Sequence, residues 1–116
     1  MQLEFYWDEA GDARARVPRE AGGKAPGHEV AAFLDSDLQG SAAAAEEVLH
    51  AIGEVESGHV PSWERTGNAH TLTLSRDGAT LRNEMDDDSK PHHVALPVLH
   101  KAVGDWLAFL KSRRRS

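Results

Sequence analysis

The sequence predicts an α+β domain: an antiparallel sheet of two hairpins packed against two or three helices, in the order β-β-α-α-β-β-α. Three observations carry this expectation. Apolar and polar residues alternate with period two on either side of two turn signals. Two longer segments carry apolar residues at three-to-four spacing. No strand–helix–strand rhythm of a parallel sheet occurs between them. A chain of 116 residues builds one such domain, spanning residues 1–116, around a single core.

The elements follow in order. Leu3, Phe5 and Trp7 alternate with Glu4, Tyr6 and Asp8, and Ala13, Ala15 and Val17 alternate with Arg14 and Arg16. A three-residue loop, Glu9-Ala10-Gly11, sets Trp7 opposite Ala13, Phe5 opposite Ala15 and Leu3 opposite Val17, with Gly11 in the left-handed position. Gly22, Gly23, Pro26 and Gly27 mark a flexible loop over about 19–27. Residues 28–38 fit a short helix better than an extended segment, through Val30, Phe33, Leu34 and Leu38. Ser41 caps a helix over 41–57 whose stripe is Ala44, Ala45, Val48, Leu49, Ile52 and Val55, and Gly58 stops it. His70, Leu72 and Leu74 alternate with Thr71, Thr73 and Ser75. Asp77-Gly78 reads as the following two-residue turn, setting Leu74 opposite Leu81 in a strand over 79–84. Asp86 to Pro91 reads as a solvated loop. Pro97 suits the first turn of a last helix, 97–112, burying Val98, Leu99, Ala102, Val103, Trp106, Leu107, Phe109 and Leu110. Arg113–Arg115 suit its negative pole and a frayed basic tail over 112–116.

Charge is the most informative property. From Ala25 to Glu64 there is no Lys or Arg, yet the stretch holds Glu29, Asp35, Asp37, Glu46, Glu47, Glu54, Glu56 and Glu64. Lys and Arg number 13 against 19 Asp and Glu overall, a formal net charge of -6. Four of those cations lie at the extreme C-terminus, so the body is more acidic still. A field of one sign attracts basic surfaces and repels nucleic acid, whose binders carry a clustered basic face.

The absence of cysteine removes disulfides, thiolate metal sites and Cys nucleophiles, and favours a cytoplasmic setting. The segment Met1-Gln2-Leu3-Glu4-Phe5 has neither a basic nor an apolar region of a signal peptide, and no apolar run reaches membrane-spanning length.

Other constellations are weaker. His28 beside Glu29, and His92-His93 with His100, are the metal candidates. No His-Glu-x-x-His pattern occurs, and adjacent His92 and His93 point to opposite sides of a strand. Asp86-Asp87-Asp88 lacks the alternating ligands, central Gly and terminal Glu of a calcium loop, so it reads as a solvated run that contributes a binding rim. There is no Gly-x-Ser-x-Gly elbow and no Gly-Lys-Ser/Thr phosphate loop. The reading is therefore no catalytic residues, no metal and no cofactor.

Trp63-Glu64-Arg65-Thr66-Gly67 followed by His70-Thr71-Leu72 resembles the YacL family of small bacterial proteins, which shows a Trp-x-Arg-x-Gly element leading into a strand. Leu3-Glu4-Phe5 with Asp8, Gly27-His28-Glu29-Val30, and the last helix with Asp105, Trp106, Leu107 and Phe109 are similar in pattern. The loop around Asp86–His93 departs from it. The resemblance implies an α+β fold and attaches no activity. Within the motif, Trp63 is expected to close the core, Arg65 to pair with a carboxylate, and Gly67 to permit the bend into the strand.

Proteins of this size and acidity also occur as immunity proteins of bacterial toxin systems, including contact-dependent growth inhibition. The expected function is therefore a cytoplasmic immunity protein that blocks a basic toxin domain, a nuclease, through an acidic surface. The expected contact residues are Asp35, Asp37, Glu46, Glu47, Glu54 and Glu56, with Asp86, Asp87 and Asp88 second. The alternative is a housekeeping, non-enzymatic YacL-like cytoplasmic protein of unassigned role with room for a homodimer interface. A small metal-dependent enzyme is third. Neither nucleic acid nor membrane is an expected partner.

Overall fold

A computed structural model describes residues 2–18, 27–86, 88 and 90–112. The α+β expectation holds, with two antiparallel sheets and three helices among the described residues. Strands β1 (Glu4–Trp7) and β2 (Ala13–Arg16) form the first sheet. Helix α1 (His28–Phe33) runs directly into one π-helical turn, Leu34–Leu38. Helix α2 (Ala42–Ser57) follows. Strands β3 (Ser62–Thr66), β4 (His70–Ser75), β5 (Gly78–Asn83) and β6 (His92–Val94) form the second sheet in that order, and α3 (Leu96–Ser112) ends the described chain. Residues 19–26 and 113–116, where the sequence predicts a flexible loop and a basic tail, lie outside the described residues.

The first hairpin has the expected register: Trp7 faces Ala13 and Phe5 faces Ala15. The Asp8 amide donates to the Asp12 carbonyl at 2.9 Å, and Gly11 takes φ 87°, the left-handed geometry that a three-residue loop requires. Helix α2 begins and ends as its residues dictate. The Ser41 hydroxyl accepts the Ala44 amide at 3.1 Å, and Gly58 closes the helix at φ 84°.

The structure corrects three expectations. The hairpins form two separate sheets, and the second sheet gains β3 and β6. Strand β3 carries Arg65 at an inward position and Glu64 outward, so its alternation is not one of apolar against polar residues. Strand β6 is three residues long, too short for a period to register. The β4–β5 register also differs: Leu74 faces Ala79 and Leu72 faces Leu81, because Arg76–Asp77 forms the turn and Gly78 is the first residue of β5. Gly78 is needed in the strand itself. Its φ is 136°, and a Cβ there would lie 3.1 Å from the Val94 carbonyl oxygen of β6.

Leu72, Leu74, Ala79, Leu81 and Val94 turn one face of the large sheet toward α2 and α3, where they bury against Val48, Ile52, Val55, Leu99, Val103 and Trp106. Val98, expected inside, is exposed. The small sheet joins through aromatic contacts to α3: Phe5 meets Trp106 edge-on at 5.1 Å and Trp7 stacks on Phe109 at 4.7 Å. The fully buried Trp106 donates its indole N–H to the Gln39 carbonyl at 2.9 Å, tying α3 to the end of the π turn. Among the described residues, no helix is long and apolar enough to cross a membrane.

Candidate functional site

The acidic stretch does not form a free face. Glu46 pairs with Lys111 of α3 at 3.5 Å, and Glu47 with Arg65 of β3 at 3.4 Å. Glu54 lies between His50 at 3.5 Å and His59 at 2.9 Å. The cations missing from the local sequence thus return from other elements. Glu56 and Glu64 are exposed. Asp86 and Asp88 are also exposed, the Asp88 amide donating to Asp86 Oδ1 at 3.1 Å, while Asp87 lies outside the described residues.

Asp35 and Asp37 have another role. Both belong to the π turn, where one residue more than an α turn lies between the bonded groups: the Gln39 amide donates to the Leu34 carbonyl at 2.8 Å. Asp35 reaches the small sheet, accepting the Ala15 amide at 3.1 Å and pairing with Arg14 at 3.0 Å. Asp37 reaches the large sheet. Its side chain is fully buried and accepts the amides of Ala69 at 3.1 Å and His70 at 2.9 Å. The expectation that Asp37 contacts a partner is therefore corrected: a buried carboxylate needs internal donors, and it has them. Asp35 is largely covered and already paired with Arg14.

His70 completes a buried chain of charge. Its side chain is 2% exposed, with Nδ1 3.2 Å from Asp37 Oδ1 and Nε2 3.4 Å from Glu29 Oε2, a loose ion pair rather than a hydrogen bond. Phe33 packs edge-on against the ring at 6.3 Å. Hydrogen bonding to Asp37 raises the His70 pKa above 6.5; burial opposes this, and the Asp37 charge with the Glu29 bond and charge add to it. Glu29 is 30% exposed and is the member of this chain nearest water. The arrangement favours the protonated imidazole and ties α1, the π turn and β4 together. It offers no open position for a substrate at the imidazole.

Sequence reasoning missed His70, although a signal was present. It shares the inward face of β4 with Leu72 and Leu74, and a buried imidazole requires a partner. The Trp63–Gly67 element behaves as read for two residues: Trp63 packs against the core and Arg65 pairs with Glu47. Gly67 has a sharper reason than a bend. A Cβ there would lie 2.6 Å from Asp37 Oδ2 and 3.0 Å from Arg65 Nη1. Of the other histidines, His50 and His59 share Glu54. His92 and His93 take opposite faces of β6, with His93 Nδ1 3.2 Å from Thr80 Oγ1. Among the described residues no three His, Asp or Glu side chains are grouped to hold a metal ion. Comparison with family models, curated proteins and solved structures returns no match.

Proposed function

We propose that this domain is a cytoplasmic immunity protein of a contact-dependent growth inhibition system, docking on a basic nuclease domain of the toxin and covering its nucleic-acid face. The observation that carries the reading is the set of exposed carboxylates on α2, Glu46, Glu47 and Glu56, in a stretch with no Lys or Arg of its own. Their internal pairs with Lys111 and Arg65 are long and involve exposed carboxylates. The Glu46–Lys111 pair is exposed at both ends and contributes little, so a partner's cation replaces Lys111 at small cost. Asp35 and Asp37 are committed to contacts inside the fold, and Asp86 and Asp88 add further exposed carboxylates. The domain acts as a binder rather than an enzyme, and takes neither nucleic acid nor membrane as ligand.

The test is direct. Mixed with the toxin domain encoded by the gene immediately upstream, the protein should abolish nuclease activity. Binding should weaken steeply with salt. Combined Glu46→Lys, Glu47→Lys and Glu56→Lys should weaken it by about a hundredfold or more. Unchanged affinity in that variant sinks the mechanism. One observation favours the housekeeping YacL-like reading instead: Glu29, Asp35, Asp37, Glu46, Glu47 and Glu54 all have ionic partners inside the chain. A gene with no toxin gene beside it would support that alternative.

A further inference from the structure

At Phe5, strand β1 turns an edge away from β2. Among the described residues it pairs with β2 alone. The Asp8–Asp12 hydrogen bond fixes which backbone groups face that partner. By the antiparallel alternation, Tyr6–Arg14 and Glu4–Arg16 are also hydrogen-bonded pairs, so the Phe5 N–H and C=O point to the outer edge. Beside this edge runs a groove of about 680 Å³, lined by apolar Leu3, Phe5, Pro18, Pro97, Val98 and Ala102 and by polar Gln2, Glu4, Lys101 and Asp105. The exposed large hydrophobic residues of the described chain are Tyr6, Val98 and Met85. Two of these three flank the β1 edge. A strand edge beside an apolar groove, with no proline in the strand, is a template for another strand.

We propose that β1 pairs antiparallel with β1 of a second copy of this chain, across a two-fold axis at Phe5, to form a continuous four-stranded sheet. The sequence around Phe5 is complementary to itself in this register. Phe5 faces Phe5 of the second copy through the outward backbone groups, and Glu4 faces Tyr6. No like charges are opposed. Arg16, already paired with Glu4 at 3.1 Å and lying 4.5 Å over the Tyr6 ring, sits one strand away and stabilises that polar row. On the other face, the Phe5 side chains meet between the two α3 helices and Val98 is drawn into the apolar layer. Pairing about Glu4 would oppose two carboxylates, so the Phe5 register is selected. The interface is isologous, so every contact counts twice.

Sedimentation equilibrium over micromolar to submillimolar concentrations should show monomer–dimer exchange. Tyr6→Glu sets a carboxylate opposite Glu4 twice per dimer and should raise the dissociation constant about tenfold or more. Adding Glu4→Gln should restore most of the loss. Val98→Glu, at an exposed helical position, should also favour the monomer. In the wild-type chain the Phe5 amide should exchange more slowly as concentration rises, a readout independent of any variant's folding. A wild-type chain that stays monomeric over the whole range overturns the proposal. So does a dimer with unchanged affinity in Tyr6→Glu, or one whose Phe5 amide exchanges at the monomer rate.

Discussion

A methyl group at Gly67 has nowhere to go. It would meet Asp37 Oδ2 at 2.6 Å, and that oxygen accepts the His70 amide. Gly67→Ala should therefore cost about 1–3 kcal/mol in urea unfolding, and a double-mutant cycle with Asp37→Ser should show non-additive effects. Asp37→Ala removes the acceptor for two amides and the partner of a buried imidazole. It should destabilise by about 3–5 kcal/mol, the range for breaking a buried ion pair. Gln39 presents the opposite case. Its φ of 51° and ψ of -144° suit glycine rather than a residue with a Cβ, yet its carbonyl is held by Trp106. Relief of that strain should make Gln39→Gly more stable by about 0.5–1 kcal/mol, seen as a higher melting temperature.

Elements whose termini are written in their own residues were legible. Helix α2 shows this most clearly, since Ser41, the apolar stripe and Gly58 each specify one part of it. Ser41→Ala should cost about 1 kcal/mol by loss of the Ala44 amide bond. The first hairpin was legible because Gly11 fixed its loop. The second was misread by one residue because Asp-Gly is also a turn signal, and only the approach of β6 to Gly78 reveals why glycine stands there. Strand β3 was hidden by its inward Arg65, whose charge is answered by Glu47 of α2, eighteen residues earlier. The acidic stretch was legible as a count and not as a surface, since Arg14, Arg65 and Lys111 return to it only through tertiary packing. The same limit hid the buried site. Glu29, Asp37 and His70 come from three elements, and no local pattern links them.

For the whole molecule, the raised pKa of His70 makes stability depend on pH. His70 has a folded-state pKa raised above its ordinary 6.5, so the protonated imidazole favours the native state. Its contribution is complete below about pH 6.5 and is lost as pH rises through the raised folded value. Unfolding free energy measured against pH should fall through that window, and His70→Gln should flatten this part of the profile. The π turn at Leu34–Leu38 sends Asp35 to one sheet and Asp37 to the other, so the two sheets are oriented by a segment of fixed length. The joint is thus keyed by residue count rather than by residue type. Deleting Ser36 would let the chain wind as an ordinary α-helix, but it would swing one carboxylate away from its sheet. A deletion variant should fail to give a cooperative melt, while substitutions at Ser36 should be tolerated. Insertions and deletions, more than point changes, are what this joint forbids.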